Sequence, residues 1–385
     1  MTQNCGTVIS MGKMDDRERL ILLNLVPDIG SLRATRLLEA FGTFGAIFDA
    51  PTQRLQQVEG IGPALAKRIA SYRRKQSLVD DEMRDAKRAG CEIVTRLEDA
   101  FPAPLMQIPD PPLALYMKGH WTPGDQTAVA IVGSRRASLY GAQIAERLAY
   151  DLAIRGVTIV SGLARGIDAS AHRGALKAHG RTLAVLGNGL ASIYPPEHRE
   201  LAEEVIKHGA VLSEYPMTME PLAQNFPRRN RLISGLSLGV VIVEAAKRSG
   251  ALITADMALE QGREVFAVPG KVDSLTSHGT HQLLKQGARL VTSVEDILDE
   301  LRLEPVDAAV GAGQPAFATS PPRRLPTMTE DEDALLAQLS ADEAVDVDTL
   351  SRGTGLTVAV CCATLLSLEL KHVVRQLPGK RFVKV

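Results

Sequence analysis

The chain has 385 residues, with 44 Lys+Arg against 45 Asp+Glu for a net charge of −1, and is 45% apolar and 23% charged. These proportions exclude a wholly disordered, collagen-like or disulfide-scaffold protein and predict a large core divided over two or three domains. Near neutrality also excludes a surface that attracts polyanions everywhere, so any nucleic-acid site is a local basic patch.

The first zone, Asp15 to about Phe101, sets apolar residues at helical spacing, as in Leu20 and Leu23 and then Leu37, Leu38 and Phe41, with Gly-based turns between them. It is expected to be all helical. Val58 to Ala66 reads apolar, Gly, apolar, Gly and then a helix, so a hairpin would offer backbone N–H groups near Gly60 and Gly62 to one phosphate, with Lys67 and Arg68 beside it. Val26 to Gly30 is a weaker copy about 30 residues earlier, giving a SAM/helix-hairpin-helix-like pair, and Asp28 disfavours DNA there. A folding or protein-contact module fits the same residues equally well. Prolines 102, 104, 109, 111 and 112 are expected to break any helix, which sets the helical domain at 1–106.

The second zone, 107–303, carries short β-branched runs separated by amphipathic helices: Ala128 to Val132, Val157 to Val160, Thr182 to Leu186, Val240 to Val243 and Glu264 to Val268. Runs apolar on consecutive positions are strands covered on both faces, so the expected fold is α/β, a doubly wound and mostly parallel Rossmann-like sheet. Residues 304–326, rich in Ala, Gly and Pro, are expected to form a flexible linker. Helices near Glu332 to Leu339, Val347 to Gly353 and Thr357 to Leu370, then a hairpin across Leu377 to Lys380, predict a C-terminal winged helix over 327–385.

Cys5, Cys91, Cys361 and Cys362 form no CxxC pair and are expected to be reduced and structural. The N-terminus shows no secretory pattern and no apolar stretch reaches the ~18 residues of a membrane helix, so a cytoplasmic protein without membrane contact is expected. His172, His179, His198, His208, His278 and His281 show no metal-ligand spacing, and no metal is expected.

In such sheets ligands bind beyond the carboxyl ends of the strands. The first of these loops holds Gly133, Ser134 and Arg135, suited either to a phosphate cradle or to a tight turn with a solvated arginine. No GxGxxG follows, and the second strand ends without an acid for a ribose, which argues against hydride transfer and a dinucleotide cofactor. The second loop, Ser161 and Gly162 through Asp168 with His172 one turn later, suits an anion. A catalytic Ser161, Asp168, His172 set is disfavoured, because Asp168 and His172 are more simply a local hydrogen-bonded pair and no GxSxG elbow is present.

The stretch Asn225, Phe226, Pro227, Arg228, Arg229, Asn230, Arg231 is expected to lead into an apolar helix. Its arginines and amides with one flat ring match what single-stranded nucleic acid demands, phosphate contacts and a stacking platform. A capped helix start with Phe226 in the core is the competing reading. Ser249, Gly250 and Thr254, at the next strand-to-helix junction, fit an anion-facing turn, and Glu244 fits either an arginine partner or a sugar contact. The tail's third helix lacks side chains for base edges and is expected to contact protein, while Lys380, Arg381 and Lys384 on the wing are placed to touch phosphate.

Gly133 to Arg135, Ser161 to Asp168 with His172, Tyr194 to Pro196, Asn225 to Arg231, Glu244 to Thr254 and Gly262 to Gly270, in that order, resemble the bacterial DNA-processing protein A (DprA/Smf) family over about Leu113 to Leu298. The resemblance implies a non-enzymatic, single-stranded-DNA-binding protein that protects incoming DNA and loads the recombinase RecA during natural transformation, as a homodimer through the Rossmann domain. It also implies that Gly133, Ser134, Arg135, Ser161 and Gly162 hold phosphates, that Phe226 stacks a base, and that Arg228, Arg229 and Arg231 line a basic pocket. Two other classes remain open, a Rossmann-type nucleotide-phosphate hydrolase using Glu244 or Asp168, and a duplex-DNA-binding architectural protein resting on the flanks.

Overall fold

The computed structural model describes residues 14–303, 329–340, 344–371, 373–377 and 379–384; the expected linker at 304–326 and Cys5 lie outside them. Two compact units divide these residues, 14–135 with 145–303, and 136–144 with 329–384.

In the first unit, helices Asp16–Leu25, Ser31–Phe41, Phe44–Asp49, Thr52–Leu55, Pro63–Tyr72 and Gln76–Arg88 form the N-terminal layer. Asp15 and Glu18 start it with a reciprocal capping box. Leu20, Leu22, Leu23, Leu37 and Leu55 bury completely, and the same apolar cluster runs on into Leu163, Leu186, Ala202 and Met217 of the α/β region. The two hairpins are tied together: Arg68 pairs with the Asp28 carboxylate and donates to Pro27 O at 3.0 Å. Gly60 holds φ +83°, a conformation that favours glycine. Arg68, expected beside a phosphate, is therefore committed to the neighbouring hairpin, whereas Gly62 and Lys67 are exposed.

The α/β region is a nine-stranded sheet of β1 (Glu92–Thr95), β2 (Ala114–Gly119), β3 (Ala128–Val132), β4 (Thr158–Ser161), β5 (Thr182–Val185), β6 (Ala210–Ser213), β7 (Gly239–Ile242), β8 (Glu264–Ala267) and β9 (Arg289–Leu290), in the order 1-2-6-5-4-3-7-8-9. Strands β3 to β9 pair in parallel, and β1 and β2 add an antiparallel edge. The doubly wound, mostly parallel expectation is what the fold has, because β3 to β7 are buried along their whole length and need helices on both faces.

Two expectations are corrected. The zone up to Phe101 is not all helical: Glu92–Thr95 is a strand, since Ile93 and Val94 are buried β-branched residues that pair with Tyr116 and Leu115. The proline cluster does not exclude a helix either. Ala103–Met106 forms one turn with Pro104 in its first positions, where a missing N–H costs nothing.

In the second unit, helices Glu330–Gln338, Val347–Thr354 and Val358–Leu370 pack beside a small sheet of β10 (Val345–Asp346), β11 (Val374–Leu377) and β12 (Arg381–Lys384), a winged helix. Cys361, Leu365 and Leu368 of the third helix lie in this core, which accounts for much of its apolar character; Val358 and Leu366 remain exposed. Lys380 sits exposed at the wing turn, and Pro378 of the expected hairpin lies outside the described residues. Cys91 and Cys361 are buried thiols, and Cys362 is exposed. Burial pushes Cys91 up to about 11, so it is inert at neutral pH. Among the described residues no single helix is long and apolar enough to cross a membrane.

Candidate nucleic-acid interface

On either side of β3 the chain winds in opposite directions, to β4 on one side and β7 on the other, and this is where a sheet of this kind opens a crevice at its carboxyl edge. Gly133 ends β3 against Ile167 and the Glu244 carbonyl, where a Cβ would lie 2.7 Å and 2.9 Å from them. Gly162, after β4, is closed still further, since a Cβ there would fall 1.9 Å from Arg229 Nη1. Both glycines let neighbouring groups pack into the floor of the crevice.

The floor is polar and bonded within itself, although Arg229 Nε and His172 Nε2 are buried without a hydrogen-bond partner. Ser161 Oγ donates to Ile131 O at 2.7 Å, and Asp168 accepts the N–H groups of Gly162 and Ala164 at 3.1 and 3.3 Å. Arg229 donates to Val185 O and is 3% exposed; burial lowers its pKa to about 10, the Asp168 charge opposing the shift, so it stays charged at neutral pH. Burial conversely raises the Asp168 carboxyl, with Arg229 holding it back. Asp168 does not bond His172 as the sequence suggested: its Oδ2 caps the loop backbone, and His172 Nδ1 instead meets Thr182 Oγ1 at 2.7 Å. Burial holds His172 down to about 3, so it is neutral.

The rim carries the surface chemistry. The motif does not precede a helix but is its first two turns, Asn225–Gly235, with Pro227 tolerated near the start. Half-buried Phe226 lies against Gly187, where a Cβ would come within 3.0 Å of the ring. The Arg135 guanidinium sits over the same ring at 5.2 Å from its centroid, and Tyr194 leans on it at 5.5 Å and 46°. A charged planar group and two rings thus meet at the mouth of the crevice. Arg228, two residues further along the helix, is exposed, and Asn230 Nδ2 donates to Gly250 O at 3.3 Å, joining this helix to a loop with exposed Lys247 and Arg248.

The expected site residues separate accordingly. Gly133, Ser134, Arg135, Phe226, Arg228, Asn230, Ser249 and Gly250 are exposed or half-buried, whereas Ser161, Gly162, Asn225, Arg229, Arg231 and Thr254 are buried. Ser249 caps the helix Gly250–Glu260 through the N–H of Ala251 at 3.3 Å. Thr254 Oγ1 turns to Gly250 O at 3.5 Å. Arg231 is not an open phosphate donor, because Asp110, at 2.8 Å, and Glu214 hold its guanidinium. Glu244 is 4% exposed and accepts from the Thr276 hydroxyl at 3.3 Å. Tyr194, Lys247 and Arg248 were not weighed as site residues; a tyrosine in a chain only 4% aromatic and two adjacent cations in a strand-end loop are the signals that could have found them. Among the described residues no group of three His, Cys, Asp or Glu is placed to hold a metal ion.

Fold and rim together define an extended Rossmann protein with a cation and aromatic cleft, preceded by a helix-hairpin-helix tandem and followed by a winged helix. Residues 92–302 match the family model of DNA recombination-mediator protein A, residues 319–380 that of the DprA winged helix domain, and residues 20–75 that of the SAM-like helix-hairpin-helix tandem. The chain belongs to the DNA-processing protein A (DprA/Smf) family. It is 42% identical over 326 residues to Protein Smf of Escherichia coli strain K12, which covers 84% of this chain and 85% of that one. It is 45% identical over 204 residues to DNA processing protein DprA of Streptococcus pneumoniae, covering 53% and 72%. The X-ray structure of the S. pneumoniae protein superposes with a TM-score of 0.64 at 35% identity, over 75% of this chain and 99% of that one. The DNA processing protein A of Helicobacter pylori, whose structure concerns its single-stranded DNA binding mode, gives 0.50 at 32% identity, over 55% and 95%.

Proposed function

We propose that the rim of this crevice grips single-stranded DNA, and that the protein protects incoming DNA and loads RecA onto it in natural transformation and recombination, with no bond made or broken. It acts in this reading in the cytoplasm as a homodimer through its Rossmann domain. The carrying observation is the half-buried Phe226 ring at the mouth, flanked by Arg135 and Tyr194. In a duplex the base faces are already stacked on one another, whereas an unpaired base has a free π-face to lay on such a platform. The exposed cations of the same rim take the phosphates, so affinity falls as salt rises. The single-stranded DNA binding of the H. pylori relative supports the same assignment.

The test is assembly of RecA filaments on single strands precoated with a single-strand-binding protein, with and without this chain, alongside incubation with nucleoside monophosphates. Faster filament assembly and unchanged monophosphates are expected. Unaltered assembly, or release of free base or phosphate, refutes the proposal.

A further inference from the structure

The N-terminal helical layer is hydrogen-bonded to the loop 214–217, between β6 and the helix Asn225–Gly235. Asn24, in the first helix of the layer, donates from Nδ2 to Glu214 O at 3.3 Å. Glu82, 8% exposed in the layer's last helix, accepts the Met217 N–H at 2.7 Å. The loop so fixed holds the DNA-facing helix at two points. The Glu214 carboxylate grips Arg231, and the Tyr215 hydroxyl donates to the backbone carbonyl of Asn225, the residue just before Phe226, at 3.3 Å. Asp110 also holds Arg231, at Nε and 2.8 Å.

We infer that Asn24 and Glu82 are positioning residues for single-stranded DNA binding, bracing the loop 214–217 so that Phe226 is held at the mouth of the crevice. The helical domain then serves the grip through its own packing. Part of its hairpin charge is spent within the domain, Arg68 on Asp28 and Arg36 on Glu59. A buried carboxylate accepting one backbone N–H fixes that loop more tightly than apolar packing alone, because the pair has a defined direction and no water to replace it.

The inference rests on the function proposed above, and a double-mutant cycle separates the two. Binding of a single-stranded oligonucleotide is measured for Glu82→Ala, Glu82→Gln, Asn24→Ala, Phe226→Ala and the double variants with Phe226→Ala, each checked for a cooperative melt above the assay temperature. Glu82→Ala and Asn24→Ala are expected to weaken binding about three- to tenfold, with the salt slope unchanged because no phosphate contact is removed. Glu82→Gln is expected to recover most of the loss, since its amide oxygen can still accept the Met217 N–H. Each double variant is expected to bind no worse than Phe226→Ala alone, because the effect passes through that ring. Full additivity, or wild-type affinity in both folded Glu82→Ala and Asn24→Ala, overturns the positioning role while leaving the proposed function standing. Wild-type affinity in Phe226→Ala removes the stacking site itself and the inference with it.

Discussion

Arg228, Arg229 and Arg231 look alike in the sequence and have three different fates. On a helix successive side chains turn by about 100°, so Arg228 points to solvent, Arg229 to the strand ends and Arg231 to Asp110 and Glu214. Their charge was legible; their directions were not, because the motif reads as a loop ahead of the helix. The consequences differ. Arg135→Ala should weaken single-strand binding and lower the salt slope by about one, the counterion released per phosphate contact; an unchanged slope would remove Arg135 from the phosphate path. Arg229→Ala should instead destabilise the fold by about 1 to 3 kcal/mol in denaturant unfolding, because Val185 O loses its buried donor and Asp168 a neighbouring opposite charge. A folded Arg229→Ala protein of wild-type stability with a reduced slope would place Arg229 on the DNA after all. Phe226→Ala should cost about 1 to 3 kcal/mol on single strands and much less on duplex, and equal losses on both would make the ring a core residue.

Among elements, β3 to β5, β7 and β8 were legible because strands covered on both faces carry apolar residues on consecutive positions, as in Ala128 to Val132. The edge strands β1 and β9 were not: β9 has two exposed residues, and β1 has only Ile93 and Val94 as an apolar run between Glu92 and Thr95. The winged-helix third helix was legible in extent, Thr357 serving as its cap, but its apolar residues divide between core and surface in a way no single-sequence pattern fixes. The helix Ile167–Lys177 carries a testable pH dependence. His172 is fully buried against Thr182, and its pKa is held to about 3, below the usual imidazole value of about 6.5. A group depressed on folding is charged first in the unfolded chain, so its contribution is intact above about pH 6.5 and is lost as the pH falls from there toward 3. Urea unfolding of His172→Asn across that window should show a shallower decline than wild type. Parallel curves would mean that His172 is not the group responsible.

At the scale of the molecule, the three-part plan was legible in composition, while the join between its first two parts was not. The proline cluster suggests a boundary near residue 106, yet Glu92–Thr95 already belongs to the sheet, and the leucines of the helical layer share one core with Leu186 and Met217. Contacts between residues more than a hundred positions apart, such as Glu82 with Met217, leave no periodic trace in the chain, although they decide where the motif helix stands. In the proposed function this rim grips an unpaired, charged polymer without chemistry. The most direct test is the titration of a labelled oligonucleotide, single-stranded and then as duplex, at two salt concentrations with nucleoside monophosphates as competitors. The account predicts tighter single-strand binding that weakens as salt rises and is not displaced by the monophosphates; preference for duplex, or indifference to both with cleavage of the free nucleotide, would contradict it.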